Sequence, residues 1–431
     1  MSLARLAYSA LCYLFTPLII WRLLWRSFKT PAYAKRWGER WGYIDRQPSE
    51  AALIWLHAVS VGESLAAMPL VAALRVRYPN ARIFITCMTP TGSQRISAAI
   101  GDDLSIGHSY APYDSPTAVA RFLRRAQPKL LIIMETELWP NTIAACYAQQ
   151  IPVMLANARL SSKSARGYQR LPMLCRPMFT QLSGVAAQTE DDAARFLALG
   201  TRPTALRVTG NIKFDMSLGL DVIARAHELE CQWRGSVNRP VWLAASTHAG
   251  EDRIVLEAFA VVKKQFPTLL LVLTPRHPER FDSVYKDCAN AGFAVQRMSQ
   301  SEPSLAAVDI VVGDTMGELL AYYGACDIAF VGGSLVPVGG HNMIEPAAWG
   351  LPILTGPEVH NFIEVARLLE QAGALRYCAD ATQLAVEAIA LLQDSDCRES
   401  MGRAALMVAT DNRGALSRLL QSLTELDIES L

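Results

Sequence analysis

Leu53-Ile54-Trp55-Leu56-His57 runs directly into Ala58-Val59-Ser60-Val61-Gly62-Glu63-Ser64, and a helical stretch over 64–77 follows. A largely apolar run of strand length, a turn carrying a glycine and then a helix make up the repeating unit of a parallel α/β sheet. The unit recurs along the chain. Further strands are expected at 83–87, 130–134, 153–156, 185–187 and 206–208, with helices such as 116–125 and 191–199 between them. Around 215–238 the strands stop, and a polar helical stretch ends at Gly235 and Pro240. The alternation then restarts at 241–245, 269–273, 293–297, 310–312, 328–331 and 353–354. Two Rossmann-like domains of similar size, joined near 216–239, account for this pattern.

Composition agrees with two large cores. The chain has 431 residues, 51% hydrophobic and 19% charged, where a domain takes about 100–200 residues. Forty-one basic against forty acidic side chains leave a formal charge of +1, so nothing global draws the protein to nucleic acid. The nine cysteines are scattered and never spaced C-x-x-C, which argues against a disulfide framework or a zinc site.

The first 46 residues differ from the rest. Sixteen uncharged residues separate Arg5 from Arg22, and Leu23, Leu24 and Trp25 precede Arg26. A full membrane span takes about 20 apolar residues, and Pro17 should kink this one. Seven of the eight basic residues up to Arg46 follow the run, interleaved with Tyr33, Trp37, Trp41 and Tyr43, the composition of a headgroup layer. A single N-terminal anchor or a monotopic attachment is expected, with the body of the protein in the cytoplasm. An amphipathic core helix with a basic face is the plainer alternative. The expected division is 1–46 as anchor and basic segment, 47–215 and 240–411 as the two domains, 216–239 as linker, and 412–431 as a helix packing back on the first domain.

Open parallel sheets bind ligands beyond the carboxyl ends of their strands, so the chemistry is sought there. Glu63 stands at the helix entry after the first strand, where a carboxylate can take a proton from a hydroxyl; a helix-start acid favoured by the macrodipole fits the same position. Glu135 and Glu137 follow the run 130–134 and are expected to point to one side, suited to a cationic transition state or a hydroxyl, and less suited to a metal ion. Lys213, in Gly210-Asn211-Ile212-Lys213-Phe214-Asp215, can meet an anion as a point charge, or be an ordinary surface lysine. In the second domain, Ser246-Thr247-His248 with Glu251 follows the first strand, and Pro275-Arg276-His277-Pro278-Glu279-Arg280 the second. Gly313-Asp314-Thr315-Met316-Gly317-Glu318-Leu319 opens a helix, and Gly332-Gly333-Ser334 with Gly339-Gly340-His341-Asn342 brackets a loop ahead of Glu345. Glycine pairs admit a phosphate to the main chain and Glu345 can accept ribose hydroxyls, so together these read as a nucleotide site. Neither G-x-G-x-x-G in the first turn nor G-x-x-x-x-G-K-[ST] anywhere is present, which removes support for a nicotinamide site and for a phosphate-loop nucleotidase.

The order of these motifs resembles the 3-deoxy-D-manno-octulosonic acid (Kdo) transferases of lipopolysaccharide assembly. The matching stretches are Ala32-Tyr33 with 35–40, then 59–63, 89–93, 135–141, 156–161, 213–215, 275–280, 313–319 and 332–342. Pro337-Val338 and Met343-Ile344 depart from the family's pattern. The resemblance implies a GT-B glycosyltransferase, two Rossmann-like domains facing a cleft, without metal or cofactor, anchored to the inner membrane. It implies transfer of Kdo from CMP-Kdo to a lipid A precursor, lipid IVA, with inversion. Glu63 would be the base and Glu135 and Lys213 the transition-state stabilisers. Pro275-Arg276, Met316-Gly317-Glu318 and Asn342-Met343-Ile344-Glu345 would contact CMP, beside the Ser246, Thr247, Gly333, Ser334, Gly340 and His341 loops. Lys35, Arg36 and Arg40 are expected to meet the acceptor's phosphates. Three other readings fit the layout: a transferase using a UDP- or ADP-sugar, a non-catalytic nucleotide-binding membrane protein, and an epimerase-type enzyme.

Overall fold

The computed structural model describes residues 2–47, 51–235, 239–300 and 307–426, so 236–238 of the expected linker and 427–431 of the expected last helix lie outside the described residues. The chain divides into two compact units, Met1–Asp215 with Arg413–Leu431, and Met216–Asn412.

The first unit is built on β1 (Leu53–His57), β2 (Arg82–Cys87), β3 (Ile106–Tyr110), β4 (Leu130–Met134), β5 (Val153–Ala158), β6 (Gly184–Ala187) and β7 (Leu206–Val208). They pair in parallel in the order β3-β2-β1-β4-β5-β6-β7. Both faces of β1 are covered, so its side chains alternate between two cores: Trp55 joins Phe122, Leu131 and Phe179 on one face, and Ile54 and Leu56 join Leu70 and Ile132 on the other. Burial on both faces is why β1 and β4 read as unbroken apolar runs. Strand order reverses between β1 and β4, which opens a crevice at their carboxyl ends. The C-terminal helix Ala415–Thr424 buries Ala415, Leu419 and Leu423 in the core of Ile54. The Asp215 carboxylate accepts the Gly414 and Leu416 N–H groups, and Arg418 Nε donates to Thr209 O at 2.7 Å.

The second unit carries β8 (Val241–Thr247), β9 (Leu270–Pro275), β10 (Val295–Arg297), β11 (Ile310–Val312), β12 (Ile328–Val331), β13 (Ile353–Thr355) and β14 (Leu375–Tyr377), all parallel, in the order β10-β11-β9-β8-β12-β13-β14. Its switch point lies between β8 and β12. Much of the stretch expected as a linker is a helix, Leu220–Arg234, that buries Ala226, Leu229 and Trp233 in this unit's core. Trp233 packs edge-on to Tyr322 at 5.3 Å, and Arg234 Nη1 and Nη2 fork onto Asp327 at 3.0 and 3.1 Å. An apolar stripe at this spacing needs a surface to bury it, and the sheet of the second unit supplies one.

The N-terminal apolar run forms two helices, Leu3–Leu14 and Thr16–Lys29, bent by 42° at Phe15. Pro17 has no N–H and its ring crowds the carbonyl four residues back, so the helix breaks just ahead of it. No single described helix is long and apolar enough to cross a membrane; the bent pair meets that length and composition only when taken together. Leu11, Leu14, Phe15, Leu18, Trp21, Leu24, Trp25 and Phe28 are exposed along the pair. Tyr8 donates to Asp114 Oδ2 and Ser9 to Asn141 Oδ1, both at 3.0 Å, which ties the first helix to the body of the unit.

Candidate active site

Ser60 caps the helix Val61–Arg77, its hydroxyl accepting the Glu63 N–H at 3.1 Å. Glu63 in turn reaches back, Oε2 accepting the Val59 N–H at 2.9 Å. Glu63 is thus a helix-start acid in the first turn, and its carboxylate also ties back to the residue ahead of the cap. Glu63 is only 7% exposed; burial raises its pKa, the Ser60 and Val59 hydrogen bonds oppose the rise, and the nearby Glu135 and Glu137 add to it. A raised pKa makes a carboxylate the stronger base once it is ionised.

Glu135 follows β4 across the switch point. Its backbone is left-handed, φ +54°, and its N–H donates to Ala156 O at 2.9 Å. The carboxylate is 7% exposed and held on both sides, by Lys213 Nζ on Oε1 at 3.1 Å and Arg159 Nε on Oε2 at 2.8 Å. Glu137 Oε2 accepts the Trp139 indole N–H at 3.3 Å; burial raises its pKa and the nearby Glu135 charge adds to the rise. Both carboxylates act on Glu63 and the Glu135 charge acts on Glu137, so the two share one neighbourhood although the left-handed turn at 135 ends the strand alternation. Trp139 sits edge-on to His57 at 4.7 Å, and burial pushes the His57 imidazole down to about 3, so it is neutral. Lys213 lies in the 3₁₀ turn Ile212–Asp215, whose first N–H donates to Asn157 Oδ1 at 3.0 Å.

In the second unit Ser246 has φ +55° and sits at a register shift between β8 and β9. Bulges of this kind re-aim side chains at sites. Thr247 donates to Asp252 Oδ1 at 2.7 Å, and its carbonyl accepts the Arg276 N–H and Arg280 Nη1. Arg280 also pairs with Asp252, so it is structural, whereas the Arg276 side chain is exposed. The positive charge of Arg276 acts on His248, His341 and Glu345, which places all four in one neighbourhood. His341 stacks on His248 with their Nε2 atoms 2.8 Å apart, and burial pushes His341 down to about 3. Glu345 accepts from Asn342 Nδ2 at 3.0 Å; burial raises its pKa. Met343 and Ile344 are core side chains, so a ligand could meet them only through their backbone. Met316 is exposed beside Gly317, and Glu318 accepts from Thr315, Tyr322 and Arg225 Nε, the last at 3.0 Å.

The glycine loop departs from its expected role as a phosphate cradle. Glu251, with 0% exposure, takes the N–H groups of His248 and Gly333 on Oε2 at 2.8 and 2.7 Å, and those of Ser334 and Leu335 on Oε1 at 2.9 and 2.8 Å. A buried carboxylate demands such donors, and they are then unavailable to a phosphate. Ser334 is equally committed, donating to Val331 O and accepting from Gly356 N. At Gly333, φ is +69° and a Cβ would lie 2.9 Å from the His341 ring, so the loop path requires glycine. Arg40 also departs: it is 2% exposed, stacked over the Tyr110 ring at 3.9 Å and bonded through Nη2 to Met88 O at 3.1 Å. It supports its segment from below, because a buried guanidinium needs an aromatic face and a carbonyl. Lys35 and Arg36 remain at the surface, Arg36 bonded to Glu39 and Ser93.

The profile described as 3-deoxy-D-manno-octulosonic-acid transferase (kdotransferase) matches residues 35–216. The 3-deoxy-D-manno-octulosonic acid transferase of Haemophilus influenzae is 43% identical over 425 residues, covering 97% of this chain and 98% of that one. The chain belongs to the Kdo transferase family. The Bordetella pertussis member is 37% identical over 426 residues, 94% and 96% of the two chains. Among solved structures, a glycosyltransferase from Rickettsia africae is 14% identical, with a TM-score of 0.58 over 88% of this chain and 99% of that one; at that identity the likeness is one of fold.

Within this Kdo transferase, sequence reasoning missed the partners of its site residues. Arg159 and Asn157 lie in a stretch quoted for the family resemblance, but no local pattern marks them as neighbours of Glu135 and Lys213. Glu251 reads as part of the nucleotide site, and its hold on the loop after β12 has no local signal.

Proposed function

We propose that the chain is an inverting glycosyltransferase that moves Kdo from CMP-Kdo to a hydroxyl of a lipid A precursor, lipid IVA, in lipopolysaccharide assembly. The acceptor oxygen attacks the anomeric carbon, the bond to the cytidylate phosphate breaks, its electron pair leaves with CMP, and the hydroxyl proton passes to Glu63. Glu135 faces the positive charge developing on the sugar and Lys213 the negative charge on the leaving phosphate. Arg276, Ser246, Thr247, Gly340, His341, Met316-Gly317-Glu318 and the Asn342–Glu345 segment hold the nucleotide, Arg276 being the cation suited to its phosphate. The observation that carries the reading is the pairing at the first unit's switch point. A buried acid of raised pKa follows β1, and a carboxylate held by two cations follows β4.

The test incubates the purified chain with lipid IVA and each of CMP-Kdo, UDP-GlcNAc and ADP-heptose, with products resolved by mass. Lipid IVA should gain Kdo from CMP-Kdo; turnover of a neutral-sugar donor alone overturns the reading.

The bent apolar pair with its exposed Trp21 and Trp25 lies on or in the inner membrane, and the catalytic units face the cytoplasm, as the excess of bases after the run directs. Full-length protein should co-sediment with anionic vesicles, and replacing Trp21, Trp25 and Phe28 by Ser should release most of it; unchanged sedimentation refutes the assignment. Lys35 and Arg36 meet the acceptor's phosphates. With lipid IVA in the same vesicles, Lys35→Gln with Arg36→Gln should raise the acceptor KM about 30-fold, about 1 kcal/mol per cation, and leave the CMP-Kdo KM alone. An unmoved acceptor KM rejects that role.

A further inference from the structure

The end of β5 does more than close a strand. Its residue Asn157 has φ +52° and lies where the β5–β6 register shifts. From this one stretch, Ala156 O accepts the Glu135 N–H, Arg159 O accepts the Thr136 hydroxyl, and Arg159 Nε reaches Glu135 Oε2 at 2.8 Å. On its other side, Asn157 Oδ1 accepts the Ile212 N–H at 3.0 Å and so fixes the turn that carries Lys213. Gln188 Nε2 bonds Asn157 O at 2.9 Å and steadies the stretch itself. Asn157 is fully buried and, among the described residues, its Nδ2 has no hydrogen-bond partner, a cost that a residue serving packing alone has no reason to carry.

The two cations on Glu135 differ in kind. Lysine is a compact point charge on a flexible stem and imposes little direction on a carboxylate. Arginine presents planar, fixed N–H donors and sets the plane of the group it binds. Lys213 on Oε1 therefore supplies charge, and Arg159 on Oε2 supplies orientation. A left-handed backbone at Glu135 is strained and persists only where its surroundings over-determine it, which the three contacts with 156–159 do.

We infer that Arg159 is the positioning residue of this site, fixing the plane of the Glu135 carboxylate between itself and Lys213. The inference rests on the roles given above to Glu135 and Lys213. Arg159 acts through Glu135, so its loss should appear in turnover and not in donor binding.

A double-mutant cycle tests it. Arg159→Gln should lower kcat by about 10–100-fold, the scale of a misplaced catalytic group, with the CMP-Kdo KM within about threefold. Arg159→Lys, which keeps the charge and loses the planar guanidinium, should recover only part of the loss. On a Glu135→Gln background, Arg159→Gln should cost little more, because the group it orients is already disabled. Full additivity, or a loss confined to the donor KM, overturns the inference. A crystal structure of Arg159→Gln is the arm free of turnover: the Glu135 carboxylate should rotate toward Lys213, and an unmoved carboxylate overturns the inference. If the unaltered chain transfers no Kdo, the proposed function falls, while the crystal structure still decides the role of Arg159.

Discussion

Glu63→Gln is expected to lower kcat by about 10²–10⁴-fold while CMP-Kdo binds as before. The substitution is close to isosteric, and an amide oxygen can still accept the Val59 N–H that Oε2 takes now. The cap survives, so loss of activity cannot be blamed on a frayed helix. The pH dependence gives a second reading of the same group. Burial raises the Glu63 pKa, and the base works only when ionised, so kcat/KM should fall as pH drops through a value above that of an ordinary glutamate. Stability runs the other way. An acid whose pKa is raised on folding contributes stability that is present below its unfolded pKa and lost as pH rises through the folded one. Glu63→Gln should then be no less stable than the parent at neutral pH, which thermal melts of the two proteins can check. A kcat within tenfold of the parent would remove Glu63 from the reaction.

What the sequence disclosed and what it hid divide along a physical line. The central strands β1, β4, β11 and β12 are buried on both faces and read as continuous apolar runs. The strands β3 and β14 lie at sheet edges, and β3 carries Gly107, His108 and Ser109, so no apolar run marks it. Likewise, strand-end position identified Glu63 and Glu135 in the first unit and Thr247 and Arg276 in the second as candidates, since each lies at or just past the carboxyl end of a parallel strand. The direction of each side chain was another matter. Glu135 owes the direction of its side chain to a left-handed backbone, a conformation that its local sequence does not require. Arg40 looked like a surface charge in a basic segment and is instead enclosed by Tyr110 and Met88, which lie far along the chain. Partners contributed by neighbouring strands become visible only when the sheet has formed.

The buried carboxylate of Glu251 carries the other large expected effect. Four backbone N–H groups converge on it, from His248 and from three consecutive residues after β12, so it joins the two strand ends on either side of the second unit's switch point. Glu251→Ala would leave all four without that acceptor, and each buried unsatisfied donor costs about 1–3 kcal/mol. At that scale the second unit should unfold well below the parent, because each kcal/mol lost moves the midpoint of a unit this size by about 2–4 °C. Glu251→Gln is the sharper probe. Its amide oxygen can still accept two of the N–H groups, but its NH₂ faces the other two, donor against donor. The loop then opens on one side, and with it the Gly333 backbone against which His341 packs. The CMP-Kdo KM should rise at least tenfold, with the acceptor KM little changed, and the thermal midpoint should drop. Should Glu251→Gln leave both the donor KM and the midpoint where they were, the clamp contributes nothing to the donor loop, and the glycine amides are free to be assigned to the phosphate after all.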